Sequence, residues 1–256
     1  MVDSKLSFLY FFEDFTPLFG FLLFLGPFTH FLVFNLRAFN FSYYLMFINF
    51  LSSLIAIIHN DWFVGLLSVW LFYARYGFYH KSMVGGYMIG FKDDSSIVRC
   101  LVISLILVPL YIVFMDSELS IKLGDLDITA SVQAFQTGVL FWGTFIGLLA
   151  MLILSDYDYM LYKSFRNVHM NGGYFAFMQV AFVVLCFLSM YFGSVLDISC
   201  MKNIGGTFMV LWFMDIQRVI TFHIGLRNLT ITSGLVLANL VGLIYYMRHF
   251  PEYFIF

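Results

Sequence analysis

The chain consists of long hydrophobic runs separated by short polar segments. A bilayer's hydrocarbon core is about 30 Å thick, so a helix needs roughly 20 mainly apolar residues to cross it. The runs are continuous and lack the polar–apolar alternation of a transmembrane barrel, which favours helices. We therefore expect an all-α fold, a polytopic transmembrane helix bundle. Hydropathy predicts eight spans: 17–36, 41–59, 62–78, 97–115, 134–155, 173–194, 204–225 and 230–247.

Basic residues favour eight spans over seven. The alternative of seven arises because only Asn60 and Asp61 separate the second and third runs. With eight spans, one face of the membrane receives most of the basic residues: Arg37, Arg75, Lys81, Lys92, Arg99, Lys163, Arg166 and Arg227. The positive-inside rule then places loops 79–96 and 156–172 on the inner side and both chain ends on the outer side.

Composition narrows the class of protein. Hydrophobic residues make up 62% of the chain and charged residues 11%, with 34 phenylalanines and a net charge of −2. This charge argues against a nucleic-acid-binding surface. The abundance of Phe, Leu, Met and Tyr is typical of mitochondrially encoded genes, so we expect a multi-pass protein of the mitochondrial inner membrane. Cys100, Cys186 and Cys200 form no CxxC pair, which argues against a disulfide framework or thiolate metal site.

Asp215 and Arg218 are opposite charges well inside a predicted span. Their i, i+3 spacing puts them on one helix face. A charge at the bilayer centre costs at least ~2.5 kcal/mol, so such residues are functional candidates. Two interpretations stay open: a self-neutralising structural pair, or a role with a proton or ligand. Asp156 and Asp158, in the preceding inner loop, are expected to be solvated loop charges.

A second candidate site is the basic inner loop. His80, Lys81 and Arg99 border it, and Tyr76 and Tyr79 lie beside them. Such a basic and aromatic rim suits anionic lipid headgroups. The same basic residues would also be expected if they only set the orientation of the chain in the membrane and bound no lipid.

Motifs for chemistry are missing from the sequence. It contains no nucleophile paired with a base, no Gly-rich nucleotide motif and no cluster of metal ligands. We therefore predict no catalytic residue and no metal ligand in this chain, and leave open whether it belongs to an enzyme. The chain is typical of a scaffold or channel component.

Three stretches carry a resemblance to a known family. Residues 135–140 (Phe-Gln-Thr-Gly-Val-Leu) resemble its Leu-Asn-Thr-x-x-Leu motif, and residues 205–208 (Gly-Gly-Thr-Phe) its Gly-Ser-Thr-Phe-Phe helix. The basic loop 76–99 resembles the loop between the family's second and third helices. Over about residues 45–250, their order and spacing resemble mitochondrial cytochrome c oxidase subunit III, heavily diverged.

The resemblance implies an architecture. Spans two to eight would be the family's seven helices, which gives a seven-helix membrane domain at 41–256. Residues 1–40 would be an N-terminal tail and an extra helix. Asp215 and Arg218 would occupy the positions of two family histidines. The family's third-helix carboxylate would fall near 108–110, where the sequence is Val-Pro-Leu and has no acid.

The resemblance also implies a function. The chain would be an accessory subunit of cytochrome c oxidase that stabilises the catalytic subunit in the respiratory chain. Haem a and copper would be bound by a partner subunit, and this chain would bind no cofactor. Phospholipids such as cardiolipin would be further partners.

Other interpretations remain. Residues 225–227 (Gly-Leu-Arg) resemble the opening of the essential arginine motif of ATP synthase subunit a, with Arg227 as the arginine. That mechanism expects a helical hairpin along the rotor ring, whereas the 29 residues after Arg227 suffice for one span. Another membrane subunit of a respiratory complex, or a stand-alone transporter, also fits the spans. A transporter would favour internal repeats, which the sequence does not show convincingly.

Overall fold

The chain is a membrane protein with transmembrane helices. The computed structural model describes residues 41–83, 86–116, 122–123, 126–127, 132–159, 172–221 and 229–249, and these are mostly helical. Four helical stretches among them are long and apolar enough to cross a bilayer: Asp94–Phe114, Gln136–Ser155, Gly173–Val195 and Ile231–His249. They confirm long apolar helices at four of the predicted spans, 97–115, 134–155, 173–194 and 230–247.

The other predicted spans have different outcomes. The runs at 41–59 and 62–78 form the shorter apolar helices α1 (Phe41–His59) and α2 (Trp62–Arg75). The run at 204–225 lies largely on a helix with three charged residues, which is not among the four apolar stretches. The run at 17–36 lies outside the described residues, as does the predicted N-terminal region 1–40. The total of eight spans therefore stays a prediction.

The described residues divide into two compact units, the first containing those up to Ser96 and Ile106–Trp142. In it α1 packs against α2 around the buried side chains of Ile48 and Leu71. The Asn49 amide donates to the Ser68 carbonyl oxygen across this pair, with Nδ2 and O 2.6 Å apart. Interhelical hydrogen bonds of this kind help to hold helices together where the surrounding lipid is as apolar as the side chains.

A β-hairpin follows α2 where the sequence predicted a helix end and a loop. Its strands, β1 (Phe78–Met83) and β2 (Gly86–Phe91), pair antiparallel with Phe78 opposite Phe91. The helix ends before residue 78 because Gly77 adopts a φ of +100°, which breaks the helical backbone. The buried Phe78 ring lies 6.2 Å from the Trp142 ring, measured between centroids, so the hairpin base is packed within this unit.

The next elements are α3 (Asp94–Asp116), a short pair β3 (Lys122–Leu123) and β4 (Leu126–Asp127), and α4 (Gln136–Gly138). A π-helical turn at Val139–Gly143 leads into α5 (Thr144–Ser155). Together α4, this turn and α5 make up the apolar stretch of 20 residues. The π-helical turn interrupts the regular hydrogen-bond ladder without ending the helix.

The second unit contains Ile97–Leu105 of α3 and the described residues from Gly143 onward. Its other helices are α5, α6 (Gly172–Val195), α7 (Ser199–Val219) and α8 (Leu229–His249). The α7 helix packs against α5, α6 and α8. It therefore lies at the centre of this unit and carries the candidate charges.

Candidate functional site

Four charged side chains meet at the carboxyl end of α7. Arg218 Nη2 lies 2.8 Å from Asp215 Oδ1 and 2.7 Å from Asp156 Oδ2. Arg218 Nη1 lies 2.9 Å from Asp158 Oδ2. One guanidinium thus contacts three carboxylates, and we name these four residues the Arg218 cluster.

Local structure explains how the members come together. Asp215 precedes Arg218 by three residues, so both lie on one face of α7. Asp156 terminates α5, and its Oδ1 accepts hydrogen bonds from the backbone N–H groups of Asp158 and Tyr159. This side-chain turn brings the second carboxylate, Asp158, towards Arg218. The carboxyl ends of α5 and α7 therefore lie together.

The four side chains differ in exposure. The exposed fractions are 51% for Asp158, 41% for Arg218, 29% for Asp156 and 13% for Asp215. The second oxygen of Asp215, Oδ2, is buried and has no hydrogen-bond partner among the described residues. One positive and three negative groups give the cluster a formal charge of −2 when all are ionised.

Neutral polar residues extend the cluster into the unit. Gln179 on α6 donates from Nε2 to the Ser155 carbonyl oxygen at 2.6 Å, and its Oε1 accepts from Trp212 Nε1 at 2.5 Å. One amide side chain therefore links α5, α6 and α7 next to Asp156. Ser155 adjoins Asp156, and Trp212 precedes Asp215 by three residues, so both contacts lie within about one helical turn of the charged residues.

The α8 helix is joined to α7 on another side of the same region. Asn239 Nδ2 donates to the Phe213 carbonyl oxygen and to Gln217 Oε1, each at 3.0 Å. Farther along α8, the Tyr246 hydroxyl donates to Met190 Sδ at 3.0 Å. Polar contacts thus tie α8 to α7 and α6.

The structure confirms one sequence prediction and adds contacts to another. Asp215 and Arg218 do pair on one helix face. Asp156 and Asp158, predicted to be solvated loop charges, are partly exposed as expected, and in addition both contact Arg218. Arg218 lies 62 residues from Asp156, so only the packing of α5 and α7 brings them together. Sequence spacing did not predict that three carboxylates contact one arginine.

The remaining predicted site residues are separate from this cluster. His80 and Lys81 lie on β1, opposite Ile89 and Met88 of β2. Arg99 lies on the exposed surface of α3. Their role with lipid headgroups stays a prediction. Arg227 lies outside the described residues.

The described residues include no group of three or more His, Cys, Asp or Glu side chains that could hold a metal ion. Cys100 and Cys186 are buried thiols, and Cys200 is half-buried. Burial raises the pKa of the Cys200 thiol, an effect partly offset by hydrogen bonds with backbone groups.

Comparisons of the chain with known proteins identify no relative. No protein-family model matches the chain, and neither a curated protein nor a solved structure shows significant similarity to it.

Proposed function

We propose that the chain is an accessory, non-catalytic membrane subunit of a respiratory complex in the mitochondrial inner membrane. Cytochrome c oxidase is the first candidate, with this chain in the place of subunit III. The resemblance in the order and spacing of the 135–140 and 205–208 stretches supports this choice. Haem a and copper would then be bound by the partner catalytic subunit.

The observation that carries a stabilising role is the helix packing at the two stretches that carry the family resemblance. In the 205–208 stretch, a Cβ added at Gly205 would lie 2.9 Å from the Cys186 carbonyl oxygen of α6. Phe208 is buried against Phe145, with ring centroids 5.6 Å apart. Close backbone approach at small residues is how membrane helices associate.

The 135–140 stretch has the same role in the first unit. A Cβ added at Gly138 would lie 2.8 Å from Leu66 Cα of α2. Leu140, in the same stretch, is buried. Both stretches therefore pack helices together, which supports a structural role for the residues that carry the resemblance.

Exposed apolar side chains support a position among lipids and partner subunits. The long helices α3, α6 and α8 expose large hydrophobic residues on their surfaces, and nine of these are more than 60% exposed: Ile106, Leu110, Val113, Phe177, Val180, Tyr191, Val195, Leu237 and Ile244. Such exposure would be costly in water at about 25 cal/mol per Å² of apolar surface. We propose phospholipids such as cardiolipin as ligands, with headgroups at His80, Lys81 and Arg99.

The test is co-purification from native membranes. A tagged full-length chain is extracted in mild detergent, separated by native electrophoresis, and the chain's band is examined by reduced-minus-oxidised spectroscopy. Haem a in that band, together with the oxidase's catalytic subunit, is the expected result. A chain that migrates alone, or with an ATP synthase rotor ring, would overturn the proposal.

Paired glycine variants test the stabilising role. Gly205→Leu should reduce the haem a that co-purifies, because the side chain separates α6 and α7. Gly234→Leu is the matched control, since an added Cβ there meets nothing within 4 Å. Equal haem a in both variants would contradict a stabilising role for the 205–208 stretch.

A further inference from the structure

We propose that Asp215 is a proton-binding site, with a neutral carboxyl group at pH 7 that carries its proton on Oδ2. The inference goes beyond the proposed function and does not depend on it. It rests on the geometry of the Arg218 cluster, in which three carboxylates share one guanidinium.

The first argument is the balance of charge. Asp156 Oδ2 and Asp215 Oδ1 contact the same nitrogen, Arg218 Nη2, so the two carboxylates are close neighbours. Carboxylates that share a site disfavour full ionisation, and such a group retains a proton. Asp156 is also at the carboxyl end of α5, where the helix dipole adds partial negative charge. Within the described residues, one arginine therefore faces three carboxylates, which carry more negative charge than it can balance.

The second argument identifies which carboxylate holds the proton. Asp156 has both oxygens engaged, Oδ1 with two backbone N–H groups and Oδ2 with Arg218. Asp158 has 51% of its side chain exposed, so water reaches it. Asp215 is the most buried of the three, and its Oδ2 has no partner within the described residues. A buried charged oxygen without a hydrogen bond is costly, and such groups become neutral.

The charge balance of the cluster is drawn from the titratable groups that the structure describes around Asp215. Within the described residues the charged groups that act on it are Asp156, Asp158 and Arg218. The α6 helix has no charged residue and contributes Gln179 to the region. The α8 helix contributes Asn239 there. Titratable side chains elsewhere on α6 and α8 are Tyr174, Cys186, Tyr191, Tyr245, Tyr246, Arg248 and His249, of which the last two occupy the final turn of α8.

The inference predicts how neighbouring charges control the proton. Replacing Asp156 by Asn removes one negative charge and keeps the side-chain volume. Arg218 then has two carboxylates to balance, and Asp215 should lose its proton at lower pH. We expect the pH at which Asp215 loses its proton to fall by about one unit in Asp156→Asn, which corresponds to a tenfold lower proton affinity.

Infrared difference spectroscopy on the purified full-length chain tests this directly. Wild-type protein at pH 7 should show the carbonyl stretch of a protonated carboxylic acid, which shifts in D₂O. The band should be absent from Asp215→Asn and retained in Asp61→Asn, a matched change at an exposed helix cap. Absence of the band from wild type, or its persistence in Asp215→Asn, would overturn the proposal.

The titration of the wild-type band decides the question even where Asp215→Asn fails to accumulate. In Asp156→Asn the midpoint of the band's titration should move to lower pH. A midpoint that does not move would overturn the assignment to the Arg218 cluster.

Discussion

The contact of α7 with α6 at Gly205 gives the most direct test of the fold. In Gly205→Ala the new Cβ would lie 2.9 Å from the Cys186 carbonyl oxygen, 3.0 Å from Met190 Cγ and 3.1 Å from Ser189 Cβ. Carbon atoms in ordinary contact are about 3.5–4.0 Å apart, so the helices must separate by roughly 0.5 Å. Overpacking of this kind costs about 1–3 kcal/mol.

The assay is thermal unfolding of the detergent-purified full-length chain. Each kcal/mol lost lowers Tm by about 2–4 °C for a chain near this size, so Gly205→Ala should show a clear decrease. Gly234→Ala is the control, because its Cβ meets nothing within 4 Å, and its Tm should stay close to wild type. Equal Tm values for the two variants would refute the close approach of α6 and α7.

Three further predictions concern other contacts. A double-mutant cycle of Gln179→Leu and Trp212→Phe, measured by SDS unfolding, should give a coupling energy of about 0.6 kcal/mol and at most about 1.7 kcal/mol. Additive effects of the two substitutions would contradict their hydrogen bond. Asp61→Ala should destabilise α2 by about 0.5–2 kcal/mol in the same assay, because it removes the acceptor for two backbone N–H groups, and Asp61→Asn should largely preserve stability. Alkylation of Cys200, followed by peptide mass spectrometry, should reach half its maximal rate at a higher pH than alkylation of a free cysteine, because burial raises its pKa and leaves less thiolate; a midpoint at or below that of free cysteine would contradict burial.

Much of the helical architecture could be predicted from hydropathy because membrane helices need long apolar runs. The β-hairpin was missed because Phe78–Met83 mixes aromatic, basic and polar residues (Phe-Tyr-His-Lys-Ser-Met), and hydropathy therefore places most of it in a loop. The signal that could have found it is the pair Gly85-Gly86 between two short runs, a turn signature of hairpins.

Only the contact between residues close together in the sequence could be predicted for the site. Asp215 and Arg218 share a face because three residues separate them, so their pairing follows from helix geometry. Asp156 and Asp158 join them through the packing of α5 against α7, which no single-sequence pattern encodes. The same is true of Gln179, which contacts both Ser155 and Trp212 across helices.

Asn239 has a consequence for how α8 is aligned. Its side-chain nitrogen has two hydrogens, and both are used, one on the Phe213 carbonyl oxygen and one on Gln217 Oε1. Leu, Ile and Val side chains along the helix can exchange lipid for protein contacts at little cost, since both surroundings are apolar. Sliding α8 by one turn would break both bonds at once. A single amide side chain therefore fixes the register of α8 against α7, which the apolar contacts alone would leave free to shift.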